Sequence, residues 1–171
     1  MKSENLRPQD IMIALWIAVE DQPSVKNISA NLKISLGDVS NGITRLQFAR
    51  LIQRQGRDRK CNTSNLFEFV VHGVKYCFPG ILGAPARGIP TAWGHSFFSS
   101  KIRSDSSPVY SSLNGKHYGP EISPLYKSLP LACEESEVVY QITAIVDCLR
   151  IGKARDISLA ENQLKKYLRL P

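Results

Sequence analysis

Apolar residues fill every position from Ile11 to Val19, a run of nine that follows Pro8 and meets no further proline or glycine before Pro23. Proline loses nothing at the start of a helix, because the first N–H groups have no partner there in any case. The pattern therefore predicts a first helix over residues 8 to 21. Its apolar residues go all round the axis, so it must be covered on more than one side. It is either a central core helix or one shared with a dimer partner.

Ser24 then predicts an N-cap, with Val25, Ile28 and Leu32 on one stripe. Lys33-Ile34 reads as a tight turn. Ser35 with Asp38 three residues on is a variant of the capping box, and Val39, Ile43 and Leu46 give the next helix one narrow buried stripe. Helix, turn of about three residues and helix is the spacing of a helix-turn-helix. Leu51-Ile52 opens an extended stretch to Gln55, Gly56 to Lys60 reads as a polar turn, and Cys61 to Ser64 as a returning strand. From Asn65 to Phe78 the longer match is helical, through Leu66, Phe69, Val70, Gly73, Val74 and Cys77, with Pro79-Gly80 as the stop.

Between Pro79 and Pro124 glycine, proline and serine recur, which predicts loops with some extended structure. Asn114-Gly115, between Val109-Tyr110 and His117-Tyr118, predicts a β-hairpin with both central residues at positive φ. Ser136 caps a helix carrying Val139, Ile142, Val146 and Leu149. Gly152 separates it from another with Ile157, Ala160, Leu164 and Leu168, together a C-terminal helical hairpin. Glu134, Glu135 and Glu137 read as its acidic first turn. The expected fold class is mainly α with a small β component. Its parts are a winged helix-turn-helix unit (1–78), a loop-rich region with a hairpin (79–130) and the helical hairpin (131–171).

The 171 residues carry 22 Lys and Arg against 15 Asp and Glu, a formal charge of +7. An anionic partner is the first idea this raises. Placement sharpens it: Arg45, Arg50, Arg54, Arg57, Arg59 and Lys60 face one acid, Asp58, for +5 in 16 residues. Helical projection puts Gly37, Asn41, Thr44 and Arg45 opposite the buried stripe, with Ser40 on the flank. Asn pairs with adenine, Arg with guanine, and Ser or Thr with phosphate or the thymine methyl. The candidate DNA-binding set is Ser35, Gly37, Ser40, Asn41, Thr44, Arg45, Arg54, Arg57, Arg59 and Lys60. The alternative is a solvated basic loop.

The string Ile28-Ser29-Ala30-Asn31-Leu32-Lys33-Ile34-Ser35, followed by Val39, Ile43, Leu46 and Leu51-Ile52, resembles the winged helix-turn-helix of MarR-like bacterial transcription regulators. The resemblance covers residues 8 to 64 and implies a recognition helix over Ser35 to Phe48 and a wing over Gln53 to Ser64. Two glycines usual in such proteins are here Lys33, in the turn, and Arg50, before the Leu-Ile pair. The segment Phe67 to Tyr76, with Pro79, Arg87-Gly88-Ile89-Pro90-Thr91-Ala92 and Val146 to Gly152, also resembles a little-characterised group of bacterial winged-helix proteins associated with toxin or defence operons.

Other chemistry is weaker. His72, His95 and His117 have no metal-ligand spacing, the four cysteines form no C-x-x-C pair, and neither metal nor cofactor nor enzymatic activity is expected. His72 reads as a packing or capping residue, Cys77 and Cys148 as core. Cys61 is a spectator thiol or, with a depressed pKa, a redox sensor. Arg87 to His95 either packs Trp93 on the core or presents Arg87, Trp93 and His95 to a partner or effector. A membrane span needs about 20 apolar residues, and no cleavage site comes after the apolar run, so a cytoplasmic protein is expected. The expectation is a double-stranded-DNA-binding repressor, a homodimer. The alternative is an antitoxin or defence-complex subunit whose C-terminal half holds a protein partner from the same operon.

Overall fold

The computed structural model describes residues 5–55, 58–99 and 106–171. The fold is mainly helical with a small sheet component. Its order is α1 (Pro8–Val19), α2 (Val25–Leu32), α3 (Leu36–Phe48), β1 (Ile52–Gln55), β2 (Asp58–Cys61), α4 (Thr63–Glu68), a π-helical turn (Phe69–Gly73) and α5 (Val74–Cys77). It continues with β3 (Leu82–Pro90), a 3-10 turn (Ala92–Gly94), α6 (Ser96–Ser99), β4 (Val109–Ser111), β5 (His117–Ile122), α7 (Leu129–Glu135), α8 (Glu137–Ile151) and α9 (Ala154–Tyr167).

The all-apolar α1 is a core helix. Ile11 to Ile17 are buried within the chain, against α2, α3, β2, α4 and α8, so no second copy is needed to cover it. The Ser24 hydroxyl accepts from Asn27 N–H to start α2. Ser35 likewise accepts from Asp38 N–H and donates back to the Asp38 carboxylate at 2.8 Å. Lys33 ends α2 at φ 55°, and Arg50 comes after α3 at φ 58°. The two residues that depart from the glycines of the resembling family thus both hold left-handed backbone, which costs an L-residue about 1–2 kcal/mol.

Four sequence expectations are corrected. The second strand of the ribbon begins at Asp58, not Cys61, with Gln55 opposite Asp58 and Ile52 opposite Cys61. It stops at Cys61 because the Asn62 side chain accepts from Asn65 N–H and caps α4. Cys77 is exposed, not core: the π-helical turn adds backbone to the helix and rotates α5 out of the expected stripe at Cys77, while Leu66, Val70 and Val74 remain buried. Asn114-Gly115 forms no hairpin. Strands β4 and β5 both pair antiparallel with β3, and meet each other only through the parallel pair Val109 and Glu121, closing a small three-stranded barrel. Asn114 is not among the positive-φ residues. Gly115 is required instead by close approach, since a Cβ there would lie 2.2 Å from Gly88 Cα. Finally, Glu134 and Glu135 close a separate helix, α7, which opens with Pro130 in its first turn, and only Glu137 stands in the first turn of α8.

The barrel is fastened to α8 by a buried polar cluster. Asp147, fully buried, accepts from the Thr91 hydroxyl at 2.8 Å, from the Tyr110 hydroxyl and from Arg150 Nη1 at 2.8 Å. Arg150 also donates to the carbonyls of Phe78, Pro79 and Ser123, so one guanidinium holds both chain crossings beside the barrel. The stretch before α7 reaches back to the turn between α2 and α3: the Tyr126 hydroxyl donates to Leu32 O at 2.8 Å, and the Ser128 hydroxyl to Lys33 O at 2.7 Å. An ion pair from Lys33 to Glu135 at 2.5 Å lies beside them.

Replacing Arg50 with glycine removes left-handed strain from an exposed side chain while raising unfolded-state entropy. Urea unfolding of Arg50→Gly is expected to show a net gain of about 0.5–1 kcal/mol.

Candidate nucleic-acid interface

Helix α3 buries Val39, Ile43 and Leu46 and turns Gly37, Ser40, Asn41 and Thr44 to solvent. A Cβ at Gly37 would meet nothing within 4 Å, so this glycine serves no packing need and leaves the start of the face open. The Thr44 hydroxyl donates to Ser40 O at 3.2 Å. Ser35, exposed, is committed to its cap.

Arg45 does not join this face, and its expected role in reading DNA is corrected. It is 6% exposed, and its Nε and Nη2 each donate to an oxygen of Asp10 at 2.7 Å. Asp10 Oδ2 accepts in addition from Arg7 N–H, capping α1. The pair seats beside Gly42, where a Cβ would come within 2.7 Å of Ile13 Cδ1 and 2.8 Å of Asp10 Oδ1. Hydrogen bonding to Asp10 raises the Arg45 pKa further. With that charge neutralised, the +5 counted from Arg45 to Lys60 falls to +4.

The remaining charge gathers on the ribbon. Arg54 lies opposite Arg59, and Gln53 opposite Lys60. Directly opposed residues of an antiparallel pair share a face, and like charges so placed repel. Both arginines line a groove between α3 and the ribbon, with Val25, Ser40, Ile43, Thr44 and Gln47. Two guanidiniums beside hydroxyl and amide groups make a pocket suited to an anion. Gln47 was missed by the sequence reading, although it stands three residues after Thr44 and seven after Ser40, the spacing of one helix face. Arg50 extends the basic surface past Gln47, Gln53 and Arg54. Lys60 lines, with Arg59, a neighbouring groove that also holds Glu20 and Asp21. Arg59 N–H donates to Gln22 Oε1 at 3.2 Å, tying the ribbon to the loop after α1. Arg57 lies outside the described residues.

The second candidate surface is not assembled. Arg87 sits on β3 opposite Tyr118, but His95 is 1% exposed and Trp93 half-buried, its Nε1 donating to Ser106 O. His95 Nδ1 accepts from Phe97 N–H at 3.1 Å, and its ring meets Tyr140 edge-on at 4.1 Å. Burial lowers the His95 pKa, partly opposed by Glu137. His72 is exposed, 3.8 Å from Glu68, rather than packed. Burial pushes the Cys61 thiol up to about 12, which removes the redox reading that needs a depressed value.

Arg45→Ala strands a buried carboxylate and is expected to cost about 3–5 kcal/mol in urea unfolding, whereas the double change Asp10→Leu with Arg45→Met recovers most of it. For His95, the unfolded chain takes up a proton near 6.5 that the folded ring resists. Stability is expected to fall as pH drops below that value, and His95→Gln to flatten the loss between about pH 7.5 and about 5.5. In comparisons with known proteins the chain matches no family model, no curated protein and no solved structure.

Proposed function

We propose that the chain is a winged helix-turn-helix regulator that binds double-stranded DNA, with α3 as recognition helix and the β1–β2 ribbon as wing. The observation that carries this reading is the groove in which Arg54 and Arg59, facing each other across the ribbon, stand beside Ser40, Thr44 and Gln47 of α3. A phosphodiester lodged in this groove brings a duplex against the polar helix face. A recognition helix with its amino-terminal residues toward the bases and a flanking basic element on the backbone is a common docking geometry. The protein acts as a homodimeric repressor in this reading, each copy placing one α3 in a major groove.

A second reading, an antitoxin or defence-complex subunit that holds a protein partner, is favoured by exposed apolar side chains away from α3 and the ribbon in sequence. Tyr76 is 75% and Ile81 65% exposed, with Leu82 also exposed. The two readings are compatible where the protein represses its own operon.

Fluorescence anisotropy with a duplex pool over a salt series separates them. Each phosphate contact contributes about 0.9 to the slope of log affinity against log salt. Arg54→Ala with Arg59→Ala is expected to weaken binding and lower the slope by about 1.8. Unchanged affinity and slope, or no duplex binding by the unaltered protein, overturns the assignment.

A further inference from the structure

We infer that α3 reads A·T base pairs, with Asn41 as the adenine-specifying residue, and that its face takes no guanine. The inference rests on the DNA-binding reading above and names the class of sequence that site accepts. Arg45 is the single basic residue between Leu36 and Phe48, and both ends of its guanidinium fork are closed on Asp10. Guanine offers two acceptors, O6 and N7, in the major groove, and the side chains that satisfy both are arginine and lysine. The exposed face of α3 holds neither. What it holds is an amide at Asn41, hydroxyls at Ser40 and Thr44, and the half-buried amide of Gln47 at its edge.

An amide presents one donor and one acceptor side by side, the complement of adenine N6–H and N7. Asn41 is exposed, and Gly37 and Thr44 flank it one turn away on the same stripe, leaving it the longest polar group there. The Thr44 hydroxyl is already donating to Ser40 O, so it has no proton left for guanine O6 or N7, and its methyl can meet a base edge. Phe48 continues the stripe and is 65% exposed, and Leu36 at the other end of the helix is 50% exposed. Methyl and aromatic groups fit the thymine C5-methyl, and neither pairs with guanine. The division of labour is sharp: the helix has no cation outside the Asp10 pair and supplies selectivity, while the arginines of the ribbon supply attraction that is blind to sequence.

The test is selection from a random duplex library with the 171-residue chain, sequencing of the retained duplexes, and repetition with Asn41→Ala and Asn41→Arg. Asn41 is exposed, so unchanged far-ultraviolet circular dichroism and melting temperature are expected of both variants and confirm that they are folded. The unaltered protein should enrich a core with a fixed adenine. Asn41→Ala should lose about 10-fold discrimination at that one position. Asn41→Arg should move it toward guanine. A consensus unchanged by Asn41→Ala, or retained duplexes with no sequence preference, overturns this inference and leaves the DNA-binding reading standing. No retention of any duplex at low salt overturns both.

Discussion

The buried pair between Asp10 and Arg45 is the contact on which the packing of α1 against α3 depends. It joins the first turn of α1 to the last turn of α3 across 35 residues, in a site where both groups are desolvated. Such a pair is weak as a net source of stability, because desolvation offsets most of the attraction. Its strength lies in the penalty for losing one member. Gly42 completes the arrangement: without a side chain it lets Ile13 and the Asp10 carboxylate lie against α3, so the helix is held at one depth and one rotation. The rotation decides which residues face solvent, and therefore that Ser40, Asn41 and Thr44 do.

The rest of the chain acts on the same unit. Tyr126 and Ser128 satisfy carbonyls at the end of α2 and in the turn, groups that a helix end leaves without partners. The turn itself contains left-handed Lys33. Residues 94 and 95 positions away thus stabilise a local conformation that the sequence makes costly. Their own position is set by the cluster around Asp147 and Arg150, which ties the three-stranded barrel and the chain on either side of it to α8. One apolar core runs from α1 to α9 and joins these parts. The C-terminal half is thus built into the support of α2 and the turn before α3.

Charge is distributed in keeping with that support. Cations in the core are closed on carboxylates and carbonyls, as Arg45 and Arg150 are, and this places them beyond the reach of a ligand. Arg50, Arg54, Arg59 and Lys60 lie instead on the short connection after α3 and on the ribbon, where main-chain pairing fixes the spacing of the last three.

Much of the helical framework was legible in the sequence. The serine caps at 24, 35 and 136, the stripes of α2, α3 and α8, and the need to surround α1 on several sides come from interactions within one or two turns, which a linear pattern records. The exposed positions Gly37, Ser40, Asn41 and Thr44 were legible for the same reason. Arg45 was not, because its environment is set by Asp10, and a helical projection cannot show that a polar residue at the edge of a stripe has a buried partner elsewhere. The exposure of Cys77 turned on a π-helical turn, the missing hairpin at Asn114 on the alternative partner β3, and the burial of His95 on the ring of Tyr140. Sequence alone determined the helices α1, α2, α3, α8 and α9 and their apolar stripes, because those depend on neighbours along the chain. Tertiary structure decided which charges remain available and which strands pair, because desolvation and pairing depend on groups brought together from far apart.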